Sequence, residues 1–188
     1  SLPEKMLAED KCNLQFHVKN AAGIDISVPV HYYIDDSTAL QTIGSMQQVR
    51  WEATLASGKH CLVAMTEGDT LRHEFTVFSL SDEVPPVECD EWFYQSAPSF
   101  GSDKDTVTLQ AGSSDEDLYI HYTVIAQNKV LEQGMVKKSK ALINRKFTYQ
   151  EAYGDALLVT FAWVKNGKAH TRRCYIKRPE PDMQLKMN

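Results

Sequence analysis

The chain has 188 residues, 43% of them hydrophobic and 24% charged, with a net charge of −5. That composition belongs to a folded protein rather than a disordered one and has room for one large or two small domains. The acidic balance argues against nucleic acid, whose binders carry a clustered basic face. No apolar run reaches the roughly 20 residues of a membrane-spanning helix.

Period two dominates the first half. Leu14, Phe16 and Val18 alternate with Asn13, Gln15 and His17, so one side of a strand is apolar and the other wet. A turn over Asn20–Gly23 follows, then a β-branched and aromatic run from Val28 to Ile34. Residues 37–49 have weak periodicity and read as a loop with a short helical turn. Val49, Trp51 and Ala53 resume the alternation, and Ser57-Gly58 marks a turn. Lys59–Met65 and Leu71–Phe78 predict a hairpin around a three-residue loop, Glu67-Gly68-Asp69.

Asp82-Glu83-Val84-Pro85-Pro86 breaks the pattern. Consecutive prolines cannot donate ladder hydrogen bonds and hold the chain extended. The expected organisation is a sandwich over residues 1–82, a proline-containing linker over 83–90 and a second sandwich over 91–180.

The second half opens on the aromatic run Trp92-Phe93-Tyr94, a plug for a core or a junction. Strands follow around Val107 and Leu109, over Leu118–Val124, Val130–Val136 and Ala141–Phe147, with turns at Gln127-Asn128 and Tyr153-Gly154-Asp155. Leu157–Val164, Asn166-Gly167 and Ala169–Ile176 form the clearest signal, because Asn-Gly supplies the positive φ angles of a two-residue hairpin turn. Pro179 and Pro181 end the domain. Met183, Leu185 and Met187 then alternate with polar residues, as the first strand of a third domain at 181–188 would. The chain opens on Ser1, so a parent protein is expected to begin further upstream. Close-spaced short strands with no helical period predict an all-β protein of two antiparallel sandwiches.

Chemical motifs are sparse. His17, His31, His60, His73, His121 and His170 lie on separate strands or strand ends, with no His-x-His or Glu-x-x-His pair to hold a metal. Asp115-Glu116-Asp117 lacks calcium-loop spacing and, like Asp35-Asp36, reads as turn acids. No Gly-x-Ser-x-Gly elbow, phosphate-cradling loop or Asn-x-Ser/Thr sequon occurs. Lys137, Lys138, Lys140, Arg172, Arg173, Lys177 and Arg178 read as guards of sheet edges, or as a surface for an acidic partner. The four cysteines allow two disulfides, for instance Cys12–Cys61 and Cys89–Cys174, or four buried thiols. No catalytic, cofactor-binding or metal-ligating residue is assigned, no cofactor is expected, and the chain is expected not to be an enzyme.

Several stretches carry a family likeness: Val77-Phe78-Ser79-Leu80, Pro85-Pro86, Glu91-Trp92-Phe93-Tyr94, Leu118–Tyr122, Tyr149–Asp155, Phe161–Lys168 and Arg178–Asp182 running into Leu185. Together they resemble the N-terminal macroglobulin-like domains of bacterial alpha-2-macroglobulins of Bacteroides type, over about residues 75–188. The first half resembles, more loosely, the preceding macroglobulin-like domain. The resemblance implies two tandem macroglobulin-like sandwiches of immunoglobulin or fibronectin III kind. It implies a non-catalytic scaffold of an endopeptidase-trapping inhibitor, sited in the periplasm or at the cell surface with or without a lipid anchor. The implied partners are neighbouring domains of the same parent chain and the proteases that the full protein traps. Glu132-Gln133 is preceded by Val130-Leu131 rather than Cys-Gly, so it is not the family's thioester, and no bait segment is evident. A second reading is a tandem adhesion or glycan-binding module, in which Trp51, Trp92 or Trp163 would be an exposed stacking platform. Core packing is the expectation for Trp163.

Overall fold

The computed structural model describes residues 3–10, 13–36, 39–50, 55–102, 105–138 and 141–180. Trp51, Cys12, Lys140 and the alternating segment 181–188 lie outside the described residues, as does the side chain of Lys138. The chain divides into Ser1–Asp82 and Glu83–Asn188.

The first unit contains β1 (Lys5–Leu7), β2 (Asn13–Gln15), β3 (Pro29–Ile34), β4 (Gln41–Gly44), β5 (Gln48–Arg50), β6 (Gly58–Thr66) and β7 (Asp69–Phe78). One sheet has the order β1-β7-β6-β3-β4, and the other pairs β2 with β5. Leu14, Val30, Tyr32, Ile34, Leu62, Ala64, Phe75 and Val77 are buried together between them. Each such aliphatic or aromatic side chain contributes about 1.5–3 kcal/mol on burial.

Three details differ from the sequence reading. The stretch 37–49 holds no helical turn in its described part; it supplies β4 and the start of β5. Ser45 makes that possible, because its hydroxyl donates to Ile26 O and accepts from Val28 N–H, a tie between segments that local periodicity does not encode. Thr66 pairs directly with Asp69, so the hairpin loop is Glu67-Gly68 alone, with Gly68 at φ 88°. The third is β1, which runs parallel to the end of β7, with Met6 opposite Val77.

The second unit contains β8 (Trp92–Gln95), β9 (Thr106–Ser113), β10 (Leu118–Ala126), β11 (Lys129–Lys138), β12 (Ala141–Thr148), β13 (Ala156–Lys165) and β14 (Lys168–Lys177). Its sheets are ordered β11-β10-β13-β14 and β12-β9-β8. On β13, Leu157, Val159, Phe161 and Trp163 turn inward, between 0% and 2% exposed. They meet Val107, Leu109, Ala111, Ile120, Val124 and Ile176 in one core. Asn166 (φ 49°) and Gly167 (φ 74°) turn β13 into β14, and Gln127 (φ 50°) and Asn128 (φ 62°) turn β10 into β11.

β9 departs from its alternating pattern. Val107 and Leu109 alternate with Thr106, Thr108 and Gln110, a pattern that leaves one face polar, yet Thr108 and Gln110 are buried as well. Trp92 Nε1 donates to Gln110 Oε1 at 2.9 Å, and Gln110 Nε2 donates to Asn144 Oδ1 at 2.9 Å, so the buried amide has partners on both neighbouring strands. Residues 83–90 belong to this unit: Leu142 N–H donates to Glu83 O, and Cys89 N–H donates to Ser114 Oγ. After β8 the chain changes sheets at Pro98. Lys177 N–H donates to Pro98 O, Phe100 N–H donates to Lys177 O, and Ser99 lies parallel to the end of β14.

Two substitutions test this packing. Trp163→Ala should destabilise the second unit by about 3–5 kcal/mol in urea melts, the usual cost of truncating a buried aromatic. A loss under about 1 kcal/mol would place that side chain outside the core. Gly112→Ala should be similarly damaging, because its Cβ would run into the Ala141 carbonyl oxygen on the paired strand. An unchanged melting midpoint would contradict that contact.

Candidate functional site

Three clusters of titratable side chains stand out. In the first unit Asp35 follows β3 in the left-handed region (φ 54°), a conformation that aspartate tolerates better than most residues. Its Oδ1 accepts from Cys61 N–H at 2.9 Å, and its Oδ2 faces His60 Nδ1 at 2.6 Å. His60 Nε2 faces the Ala56 carbonyl, also at 2.6 Å. Both ring nitrogens therefore face oxygen acceptors. An Asp–His pair of this kind resembles the base and orienting acid of a hydrolytic triad. Here the outer nitrogen meets a main-chain carbonyl where a triad has its nucleophilic hydroxyl. The pair ties the β3 turn to the start of β6.

The second cluster clamps the two sheets of the second unit. Arg145 on β12 donates from Nη1 and Nη2 to the Glu132 carboxylate on β11 at 2.6 and 2.7 Å, and Tyr122 Oη donates to Glu132 Oε1 at 3.2 Å. The guanidinium lies over the Tyr122 and Phe147 rings at 5.4 and 5.3 Å, where their faces attract a cation. Arg145 holds the Glu132 carboxyl below its ordinary pKa against the opposing effect of burial. In the third cluster Lys165 Nζ bridges Asp90 at 2.6 Å and Asp115 at 2.7 Å. Of the run Asp115-Glu116-Asp117, then, the first member fastens the end of β13, a role that its turn-like sequence did not signal.

The histidines stay apart. His17, His31 and His121 are exposed, while His60, His73 and His170 are half-buried in different packing environments. Among the described residues no three His, Cys, Asp or Glu side chains come together as a metal site. His170 stacks on Trp163 at 5.7 Å between centroids. Trp92 and Trp163 are each 2% exposed, so neither presents a face to a ligand. Cys174 is a buried thiol and forms no bond to Cys89, because its side chain turns into the core of its own unit. Burial pushes its pKa up to about 11, which leaves almost no reactive thiolate at neutral pH.

The outer face of β10, β13 and β14 carries a shallow open depression of about 220 Å³ beside Tyr119, His121, Val164 and Thr171. In the first unit a cleft of about 310 Å³ opens between the Phe16–Lys19 segment and the start of β7.

Compared with protein families and with curated proteins, the sequence matches none. Among solved structures the chain is similar to Salmonella alpha-2-macroglobulin reacted with methylamine. The TM-score is 0.34 at 11% identity, covering 95% of this chain and 14% of that one. It is similar to a beta-glycosidase from Bacteroides vulgatus, with TM-score 0.34 at 9% identity, covering 89% of this chain and 24% of that one. It is also similar to the fibronectin(III)-like modules of Clostridium thermocellum CbhA, with TM-score 0.31 at 13% identity, covering 98% of this chain and 94% of those modules. The chain spans less than a quarter of the first two proteins. Likenesses this distant define no family. The class follows from strand order and pairing: the chain is all-β, built as antiparallel β-sandwich modules of immunoglobulin and fibronectin III kind.

The Asp35 cluster sets a pH dependence. Burial acts to raise the Asp35 carboxyl, but the hydrogen bonds from His60 and from Cys61 N–H outweigh it and hold the group below its ordinary value of 3.8. A depressed carboxylate stabilises the fold above its unfolded pKa and ceases to do so as pH falls through the folded one. The melting temperature of the first unit should therefore fall on acidification below about pH 4. In Asp35→Asn that acid-linked component should vanish, with lower stability at neutral pH. Identical acid profiles for the two proteins in thermal melts would refute the assignment.

Proposed function

We propose that this chain is a non-catalytic scaffold segment of a larger extracytoplasmic protein, in the manner of the macroglobulin-like domains of alpha-2-macroglobulin protease traps. The observation that carries the reading is that each cluster of titratable groups is consumed in fastening a sandwich. His60 is spent between Asp35 and a carbonyl, Glu132 on Arg145, and Lys165 on Asp90 and Asp115. None of these clusters presents a nucleophile beside a free base, as acyl-transfer chemistry would need. A scaffold requires only that modules keep their shape while distant reactive parts move. The sequence likeness in Glu91–Tyr94, Tyr149–Asp155 and Phe161–Lys168 supports the family assignment.

The glycan-binding reading needs an exposed aromatic platform. Trp92 and Trp163 are buried and do not favour it.

The test compares the isolated chain with its full-length parent in digests of a large protein substrate by a panel of endopeptidases. The isolated chain should leave cleavage rates unchanged, whereas the parent should slow cleavage of the large substrate and spare a small chromogenic one. Inhibition by the isolated chain, or none by the parent, would overturn the proposal.

A further inference from the structure

The outer face of the sheet β11-β10-β13-β14 has a composition of its own. Alternation sends Ile120, Val159, Phe161 and Ile176 into the core, so Tyr119, Ala162, Thr171 and Tyr175 point the other way. Exposure agrees at the two aromatics: Tyr119 is 46% exposed and Tyr175 55%. Two cations stand on this face, Lys137 on β11 and Arg173 on β14, and both are exposed. Among the described residues no carboxylate points outward from these four strands, in a chain whose net charge is −5.

Register gives the face a shape. Tyr119 lies opposite Lys137, and pairing of His121 with Ala162 places Tyr119 level with Val164. The next row is His121, Ala162 and Thr171, and the row after it Thr123, Thr160 and Arg173. Tyr175 stands opposite Leu158 in the row beyond. A diagonal from Tyr119 to Tyr175 therefore runs about 10 Å across the strands and about 20 Å along them. Its ends are aromatic. Its middle is low, floored by the small Ala162 and Thr160 side chains, and the depression of about 220 Å³ opens over Ala162 beside His121 and Thr171. Lys137 Nζ covers one side of Tyr119 at 5.3 Å from the ring centroid, which leaves the other side to the depression.

We propose that this trough binds an acidic oligosaccharide, an extended chain of uronate sugars. Sugar rings turn their C–H faces to Tyr119 and Tyr175, whose ring faces are electron-rich and attract them. Lys137 and Arg173 meet carboxylates at two places along the chain. His121, Thr160 and Thr171 supply uncharged donors and acceptors for hydroxyls between the two aromatics. Asp117 is the one acid lining the depression, and a carboxylate accepts from sugar hydroxyls. A protein occupant would favour an apolar centre, whereas the centre here is hydroxyl and imidazole. A second copy is disfavoured, because face-to-face pairing would oppose Lys137 and Arg173 with no acid to offset them. The buried Trp92 and Trp163 take no part, and the site does not depend on the protease-trap reading.

The probes are hexamers of galacturonate and of mannuronate, titrated into the full chain at low salt, with their carboxyl-reduced neutral counterparts and polyglutamate as controls. At least one uronate hexamer should bind saturably and shift amide signals of β10, β13 and β14. Its neutral counterpart and polyglutamate should both bind several-fold more weakly. Tyr119→Ala and Tyr175→Ala alter exposed side chains, so the melting midpoint should hold while affinity falls about fivefold in each, the scale of one lost ring contact. Arg173→Gln should weaken the uronate hexamer and leave binding of the neutral one as it was. Three outcomes would overturn the proposal: no saturation at millimolar concentration of either hexamer, affinity indifferent to both tyrosine variants, or polyglutamate binding as tightly as the sugars. The last would make an acidic protein segment the occupant.

Discussion

A two-layer β-sandwich has to shut its sides as well as its faces. The faces close themselves, because alternation turns every second side chain inward and burial of those groups is favourable at each position. The sides have no such automatic solution. Where the two sheets end, core side chains and unpaired main-chain groups would both meet water. The molecule closes its sides with particular devices. Arg145 reaches across from β12 to Glu132 on β11 at one side of the second unit. At the other, β8 and the Pro98–Phe100 crossover tie one sheet to the other. The first unit uses β1 on one half of β7 and leaves the other half beside an open cleft.

The titratable groups are best understood as part of the same task. Asp35 caps the turn after β3 by accepting from Cys61 N–H and His60, and Lys165 draws two acids to the end of β13. A charge committed to a short hydrogen bond with a fixed partner is held in one geometry. The buried chain Trp92–Gln110–Asn144 does for the three-stranded sheet what these ion pairs do nearer the surface.

Alternation makes the strands around Leu14 and Ile120 legible, and β-branched or apolar composition beside turn residues those around Val30, Leu62, Phe75 and Phe161, because both are local properties. Asn166-Gly167 was legible for the same reason, since a turn needing two positive φ angles leaves few choices of residue. What escaped was non-local. β4 forms where periodicity is weak because β3 offers it an edge and Ser45 ties it down. β1 is three residues long and has meaning only beside Thr76–Phe78. Gln110 reads as a solvent-facing residue, and only the arrival of Trp92 from 18 positions upstream in the chain makes it interior. Among the clusters of charge, Asp35 with His60 and Glu132 with Arg145 join residues 25 and 13 positions apart, beyond any spacing rule.

The parallel run of β1 against β7 has a mechanical side. These are the opening and closing strands of the first unit, and they point the same way. A pull on the two ends of the unit drags them past each other along their length. The bonds Thr76 N–H to Glu4 O and Ala8 N–H to Phe78 O lie across that direction, so they bear the load together and must fail together. Antiparallel neighbours drawn from one end would instead unzip a rung at a time. Sheared along their length, β1 and β7 part only when these bonds break at once.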